Sequence, residues 1–228
     1  MGNYKESIAI IIPALDPDER MVSLVGQLHD DGFSNIILVD DGSLIANRKY
    51  FKTCKETCHC KIIRHVVNFG KGIALKSAFN YILEQRPDIK GAVTVDCDGQ
   101  HVLPDINTCA KLTYEHPDSL ILGCRQFDDK EIPLRSRFGN KLTRQMIRLL
   151  CGIHVSDTQT GLRGLPTPLI REHFANVKGE RFEYEMNMLR RNTRFQLKNF
   201  RFRQFIWQIM KARILIRSLI RFGFTKCF

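Results

Sequence analysis

The chain has 228 residues, and 43% of them are hydrophobic, which is enough for one domain with a sizeable core. Its formal net charge of +11 is concentrated in residues 189–228, which hold eleven basic residues and no acidic ones. Residues 1–188 hold equal numbers of basic and acidic residues, so the body carries no excess charge that would indicate binding to nucleic acid. We find neither an N-terminal signal sequence nor a run of about 18 apolar residues, and therefore expect a cytoplasmic protein without a membrane-spanning helix.

Apolar, β-branched segments alternate with segments of helical period along the first 150 residues. The predicted strands are Ile8–Ile12, Ile36–Val39, Ile62–Val67, Ala92–Val95 and Leu120–Gly123. The predicted helices are Glu19–Asp30, Gly72–Glu84, Pro104–His116 and Phe138–Leu150. Strands that are apolar throughout, with helices between them, indicate an α/β fold with a mostly parallel sheet that helices cover on both faces.

Eight cysteines are scattered along the chain, and we interpret them as reduced thiols. The spacing Cys54-x3-Cys58-His59-Cys60 could indicate a zinc site, but no second pair of ligands follows at the spacing that such a site needs. We therefore predict a cysteine-rich loop here.

Polar and glycine-containing segments follow the first four predicted strands. They are Pro13–Glu19, Asp40–Ser43, Asn68–Gly72 and Asp96–Asp98. In open parallel sheets ligands bind beyond the carboxyl ends of the strands, so the four segments predict a binding site at one edge of the sheet.

Asp96 and Asp98 lie two positions apart where the fourth strand ends. Two carboxylates at such a point can bind Mg²⁺ or Mn²⁺, and Gln100 could add a neutral oxygen. Asn68–Gly72 opens a helix, so its backbone N–H groups and Lys71 could face an anion. Neither a P-loop nor a G-x-G-x-x-G motif follows any strand, which disfavours a dinucleotide-binding protein.

Taken together, the motifs resemble family 2 glycosyltransferases of the GT-A fold, which has a Rossmann-like sheet. Within that family the chain is most similar to the branch of dolichyl-phosphate mannose synthase. The similarity covers residues 8–188 and rests on Pro13–Leu15, Val39–Ser43, Asn68–Gly72, Asp96–His101, Arg135–Asn140, Asp157–Arg163 and Gly179–Met186.

The resemblance implies transfer of a sugar from a nucleotide-diphosphate sugar, with inversion at the anomeric carbon. Pro13, Ala14 and Asp41 would then hold the nucleoside, with Asp16 near it. Asp16 departs from the family, which more often has Asn at this position.

The resemblance also gives roles to the acidic motif. Asp98, with Asp96 and Gln100, would hold the Mg²⁺ or Mn²⁺ ion that bridges the diphosphate of the donor. Such a cation would offset the charge that develops as the glycosidic bond breaks. Lys71 would face the same anionic donor.

Further matched residues lie towards the acceptor. Arg135 and Arg137 would neutralise phosphate charge through forked hydrogen bonds. A sugar acceptor needs a general base, for which Asp157 is the candidate, whereas a polyprenyl phosphate is already ionised at neutral pH. The resemblance favours the lipid phosphate, and with it an enzyme in the cytoplasm or at the inner face of the membrane; a glycan acceptor stays open. Glu183 and Glu185 also resemble residues on the acceptor side.

We predict a glycosyltransferase domain over residues 1–188 and a basic, apolar tail over 189–228. In one interpretation residues 204–224 form an amphipathic helix on a membrane surface, because Arg213, Arg217 and Arg221 recur every four residues among apolar ones. In the other the tail is translated out of frame, because a shift of one base can restore a segment typical of this branch. We favour the second, which implies loss of a final strand.

Two alternatives to an active glycosyltransferase are considered. One is a non-catalytic remnant that binds a nucleotide sugar without turnover. The other is a sugar-phosphate nucleotidyltransferase, which also uses a parallel sheet and a metal. Enzymes of that class typically have a glycine-rich loop with an arginine after the first strand. The segment that follows the first strand here, Pro13–Pro17, contains neither glycine nor arginine.

Overall fold

The structure, a computed structural model, describes residues 3–125, 161–190 and 196–202. The strands are β1 Ile8–Ala14, β2 Ile36–Asp40, β3 Lys61–Arg64, β4 Gly91–Thr94, β5 Ser119–Arg125, β6 Arg163–Pro166 and β7 Gln196–Phe202. The helices are α1 Tyr4–Ser7, α2 Glu19–Asp30, α3 Arg48–Cys58, α4 Lys71–Gln85, α5 Leu103–Glu115, α6 Thr167–Asn176 and α7 Glu183–Arg190. A 3₁₀ turn over Ile45–Asn47 precedes α3. The predicted helix Phe138–Leu150 and residues 203–228 lie outside the described residues.

The seven strands form one sheet in the order β3-β2-β1-β4-β6-β5-β7. The pairs β2–β3, β1–β2, β1–β4 and β5–β7 are parallel, whereas β6 runs antiparallel to both of its neighbours. The predicted α/β class with a mostly parallel sheet is therefore confirmed.

Strand β1 shows why the fold has three layers. Its alternate residues Ile8, Ile10 and Ile12 point into one apolar cluster with α2, α3 and α5, while Ala9 and Ile11 point into a second cluster with α4, α6 and α7. Because side chains alternate across a strand, an apolar residue at every position buries both faces of the sheet. Helices therefore cover the sheet on both sides, as predicted.

The predicted helix Glu19–Asp30 has the observed limits of α2. The side chain of Asp18 accepts a hydrogen bond from the backbone N–H of Arg20, which satisfies one of the free donors at the helix start. The other predicted strands and helices of residues 1–125 are also found, and most of their ends differ by one residue or two.

The prediction of a cysteine-rich loop is wrong, because Arg48–Cys58 is helix α3. Phe51 and Cys54 lie one turn apart on its buried side, and the exposed side is polar. Burial raises the pKa of the Cys54 thiol to about 11 and that of Cys60 to about 12. The six cysteines of the described ranges are free thiols, and no group of three or more His, Cys, Asp or Glu side chains in those ranges is arranged to hold a metal ion.

Strand β3 is shorter than predicted, since it ends at Arg64 instead of Val67. It is the edge strand, and Val66 and Val67 follow it with exposed side chains. Apolar composition predicted a strand here, but in the described part of the chain no element covers these residues on the outer side.

The C-terminal part of the sheet was not predicted. β7 pairs with β5 over seven residues, so a strand does form beyond residue 188, contrary to the loss of a final strand that an out-of-frame tail implied. The division at residue 188 and the origin of the tail stay predictions. Among the helices of the described residues, none is long and apolar enough to cross a membrane.

Candidate active site

The predicted site residues of the first half of the chain lie at the carboxyl edge of the sheet. Strands β1 and β2 are in parallel register, with Pro13 beside Val39 and Ala14 beside Asp40. The backbone N–H of Asp41 donates to the carbonyl oxygen of Ala14 at 2.9 Å. The segments predicted to hold a nucleoside are thus adjacent in space. Pro13 is half-buried and Ala14 is buried.

Asp41 organises the loop between β3 and α4. Its buried carboxylate accepts hydrogen bonds from the backbone N–H groups of Phe69 (3.0 Å) and Gly70 (2.8 Å) and from the His65 ring (Nδ1–Oδ1, 2.7 Å). Gly70 has φ +99°, a conformation that glycine adopts at little cost. The N–H groups expected to face a bound anion therefore bind a carboxylate of the protein itself.

His65 has no role in the predictions made from the sequence. Its Nδ1 contacts Asp41, its Nε2 lies 2.9 Å from the hydroxyl oxygen of Ser77 in α4, and its ring packs edge-to-face on Phe69. A carboxylate only accepts hydrogen bonds, so Nδ1 carries a proton, and in the neutral ring the Ser77 hydroxyl donates to Nε2. Asp41 and His65 are 24 residues apart in sequence, and His65 and Ser77 are 12 apart. No known spacing motif would have predicted that these side chains meet.

Asp16 holds the neighbouring loop. It has φ +50°, in the left-handed region where Asn and Asp are enriched. Its carboxylate accepts from the backbone N–H of Leu44 (2.8 Å) and from Asn47 Nδ2 (3.0 Å), and its own N–H donates to the Ser43 hydroxyl (2.9 Å). The exposed side chain thus fixes the β2–α3 loop at the edge of the site, and a contact of Asp16 with the nucleoside stays a prediction.

A largely enclosed cation, with 13% of its side chain exposed, lies at the centre of the site. Lys71 Nζ is 2.7 Å from Asp96 Oδ1 and 2.9 Å from Glu185 Oε2, so that α4, the end of β4 and α7 meet at one ammonium group. Burial alone would lower the pKa of Lys71, but the two carboxylates raise it above its ordinary value. Burial likewise would raise the pKa of Asp96, yet Lys71 and His101 hold it well below its usual range.

Arg163 extends this charged group behind the site. Its side chain is almost fully buried, its guanidinium donates to the carbonyl oxygen of Glu185, and its Nε lies 3.7 Å from Glu185 Oε1. Arg163 stands inside the matched segment Asp157–Arg163, but no separate role was predicted for it. On β6, Arg163 is in register with Thr94 of β4, two residues before Asp96, so it lies close to the charged group.

Asp98 and Gln100 form a tight turn after β4. Gly99 between them has φ +75°. The backbone N–H and the side-chain amide of Gln100 both donate to the carboxylate of Asp98, and both residues are half-buried. His101 follows, and its Nε2 lies 3.6 Å from Asp96 Oδ2.

These residues differ in how well they fit a divalent cation. Both oxygens of Asp96 face cationic or imidazole nitrogens, so Asp96 would have to give up a partner in order to ligate a metal. Asp98 supplies a carboxylate at a partly open turn, and the Gln100 amide, whose nitrogen now faces that carboxylate, would present its oxygen to a cation after a flip of the amide. Mg²⁺ is commonly held by one or two protein ligands, with water and substrate phosphates completing the shell, and the pair fits that arrangement.

The remaining predicted site residues, Arg135, Arg137 and Asp157, lie outside the described residues. The sequence model of glycosyl transferase family 2 matches residues 10–174, which is more than half of the chain and includes every strand that carries the site. The chain belongs to glycosyltransferase family 2. The GT-A resemblance drawn from the motifs is thereby confirmed, and the protein is a glycosyltransferase.

Relatives support this assignment. The glycosyltransferase is 30% identical over 182 residues to an uncharacterised protein of Methanocaldococcus jannaschii, covering 78% of this chain and 72% of the relative. It is 30% identical over 192 residues to the UDP-N-acetylglucosamine–dolichyl-phosphate N-acetylglucosaminyltransferase of Methanococcus voltae, covering 77% and 76%. It is 23% identical over 206 residues to mouse dolichyl-phosphate β-glucosyltransferase, where it covers 81% of this chain and 62% of the relative.

Solved structures show the same fold. The glycosyltransferase superposes on glucosyl-3-phosphoglycerate synthase of Mycobacterium tuberculosis in complex with phosphoglyceric acid with a TM-score of 0.62, at 16% identity, over 95% of this chain and 79% of the other. For the same enzyme with Mn²⁺, UDP and glucosyl-3-phosphoglycerate the TM-score is 0.64, at 14% identity, over 94% and 77%.

Proposed function

We propose that this glycosyltransferase moves a sugar, with inversion, from a nucleotide-diphosphate sugar to the phosphate of a polyprenyl-phosphate lipid, with the help of Mg²⁺ or Mn²⁺. The observation that carries the proposal is the convergence of Lys71, Asp96 and Asp98 at the carboxyl end of β4. The proposal is supported by a largely enclosed cation and two carboxylates that lie beside the loops following β1 and β2.

The donor would lie along this edge. Pro13, Ala14 and Asp41 would border the nucleoside, and Lys71 would face the diphosphate. Asp98 and Gln100 would hold the cation on the diphosphate, where it offsets the charge of the leaving nucleotide. The structures of glucosyl-3-phosphoglycerate synthase with Mn²⁺ and UDP support a divalent cation at such a site.

The acceptor is proposed from the relatives and from acid–base chemistry. Two of them are named as dolichyl-phosphate glycosyltransferases. The second pKa of a phosphate monoester is about 6, so such an acceptor attacks as an anion and needs no general base. A glycan acceptor would need a base, for which Asp157 is the candidate. A lipid acceptor places the enzyme at a membrane face.

The test is a donor panel followed by an acceptor panel. UDP- and GDP-sugars are titrated calorimetrically with and without Mn²⁺, and the donor that binds is then incubated with polyprenyl phosphate or with glycans. We expect metal-dependent binding of one donor and transfer to the lipid phosphate. Transfer to a glycan instead would overturn the acceptor, whereas donor binding without any turnover on either acceptor or on water would favour the non-catalytic remnant.

A further inference from the structure

Exposed apolar side chains are concentrated in three loops at the β3 side of the sheet. Among the described residues, nine large apolar side chains are exposed, and six of them lie in the loops that follow β1, β2 and β3. These six, which we call the apolar loop patch, are Leu15, Leu44, Ile45, Val66, Val67 and Phe69.

The three loops that carry the patch are neighbours in space. Asp16 binds the backbone of Leu44, which joins the first loop to the second. Gly42 packs against the third loop so closely that a Cβ on it would lie 2.3 Å from the backbone carbon of Val67. Ile45 and Val66 form the outer part of the patch, with exposed fractions of 81% and 88%. Six exposed large apolar side chains on neighbouring loops are more than the scattered single ones of an ordinary surface, and such concentrations mark binding surfaces.

A basic depression lies next to the patch. It has a volume of about 510 Å³, and apart from Ile62 its lining consists of the five basic residues Arg48, Lys49, Lys52, Lys55 and Arg64. Arg48 follows the 3₁₀ turn that contains Ile45, and Arg64 precedes Val66 by two residues, so the chain itself joins the two surfaces.

Few acids offset this charge. Glu56 lies 3.8 Å from Lys52 and the buried Asp40 binds Arg64 at 2.8 Å. Arg48 Nε is buried without a hydrogen-bond partner in the described part of the chain. The surface is therefore apolar at its tip and cationic beside it, which is the complement of a bilayer whose headgroups are anionic.

We propose that the apolar loop patch and the basic depression dock the protein on a membrane surface that contains anionic phospholipid. The apolar side chains enter the headgroup region, and the lysines and arginines face the lipid phosphates. The surface and the site share the carboxyl edge of the sheet, and β3 and β4 are separated by three strand spacings, or about 14 Å. Docking therefore brings the site near lipid-borne phosphate, although the proposal itself does not depend on the transfer reaction.

The test measures sedimentation of the full chain with vesicles of phosphatidylcholine, alone or mixed with phosphatidylglycerol. We expect binding to the mixed vesicles and weakening by salt. The double variant Ile45→Ser/Val66→Ser should bind at least about tenfold more weakly, because two exposed aliphatic groups no longer leave water. Its matched control is Phe174→Ser, which removes an apolar side chain that is 38% exposed and lies on α6, outside the three loops.

The charged half is tested by Lys52→Glu/Lys55→Glu. Each lysine near an anionic surface contributes about fivefold, and reversal adds repulsion, so binding should fall by more than about 25-fold. Lys111→Glu/Lys178→Glu makes the same change of charge at exposed positions away from the depression and should bind as the wild type does. Thermal melts check that each variant is folded.

Two results would overturn the proposal. One is that wild-type protein does not bind mixed vesicles. The other is that both double variants bind them as well as their controls do, which would place the membrane contact in another part of the chain, such as residues 203–228. Donor affinity is measured in parallel and should be unchanged; if Ile45→Ser/Val66→Ser weakens donor binding and leaves vesicle binding intact, the patch covers the nucleoside and the proposal is wrong.

Discussion

Asp98 is the residue on which the proposed cation site depends most directly. Its carboxylate is held by Gln100 at a partly open turn, and among the described residues no basic side chain lies within hydrogen-bond distance of either oxygen. Asp96, in contrast, is engaged by Lys71 and His101. The two acids of the motif therefore differ in what they can do, although the sequence presents them alike.

We predict that Asp98→Asn abolishes metal-dependent stabilisation by the donor. A ligand at 100 times its Kd adds about 2.7 kcal/mol, which for a chain of this size raises the melting temperature by about 5–10 °C. The variant keeps the shape of the side chain but loses the charge that attracts Mn²⁺. The measurement is a thermal melt with and without donor plus Mn²⁺, with Asp30→Asn, on the exposed end of α2, as control. A normal response of Asp98→Asn would remove it from the cation site.

His65 allows a second test within the same edge, because its two nitrogens have different partners. Asn places its amide nitrogen where Nδ1 lies and can keep the hydrogen bond to Asp41, whereas Gln reaches Ser77 instead. We predict that His65→Gln lowers the free energy of unfolding by about 2 kcal/mol and weakens donor binding, since Asp41 loses a charge-assisted partner. His65→Asn should lose only about 1 kcal/mol and bind donor normally.

Urea denaturation of the two variants measures the free energy of unfolding, and donor titration measures the affinity for the donor. Ser77→Ala serves as the control for the far end of the chain of hydrogen bonds and should resemble His65→Asn. Equal donor affinity in His65→Gln and His65→Asn would show that the contact with Asp41 has no bearing on the donor site.

At the scale of elements, Lys71 joins α4, β4 and α7. Its removal would leave the Asp96 and Glu185 carboxylates close together without their cation. We predict that Lys71→Met lowers the free energy of unfolding at pH 7 by about 3 kcal/mol. The desolvated carboxylates of Asp96 and Glu185 would then lack the cation that offsets their charge. Lys111→Met, whose side chain is 63% exposed and lies 3.9 Å from Glu115, should cost less than about 0.5 kcal/mol.

The pH dependence of this difference follows from the pKa shifts. The pKa of Asp96 is lowered on folding, so its contribution to stability is present above the unfolded value of about 4 and is lost as the pH falls. The pKa of Lys71 is raised on folding, so its contribution is present at neutral pH and is lost only above its ordinary value. The stability difference between wild type and Lys71→Met should therefore be largest at neutral pH and shrink below about pH 4. A difference that grows in acid would contradict this account.

The apolar pattern of the sequence predicts some strands and helices of this fold and misses others. β1 and β2 are apolar on both faces and were predicted because buried parallel strands have that composition. α3 was missed because only Phe51 and Cys54 mark its buried side, and β6 was missed because four residues of mixed composition carry no period. The sequence could not predict the side-chain contacts of His65 with Asp41 and Ser77, or that of Lys71 with Glu185. These contacts depend on which segments meet in space.

At the scale of the whole molecule, the boundary of the domain depends on β7. The strand pairs in parallel with β5 along the whole of Ser119–Arg125. Without it, β5 would become an open edge, and unpaired edges favour association with other chains. The predicted domain of residues 1–188 excludes this strand. A domain that ends at residue 188 would therefore have an open β5 edge, whereas a domain that includes β7 would not.

We predict that a chain ending after Asn192, which keeps α7 complete, melts at least about 5 °C below one ending after Phe202. Several ladder hydrogen bonds at about 1 kcal/mol each would be lost, and each kcal/mol corresponds to about 2–4 °C for a chain of this size. Calorimetry gives the melting temperatures, and size-exclusion chromatography detects association through the exposed β5. Equal melting of the two shortened chains would mean that β7 adds nothing to stability and that the domain ends near residue 188.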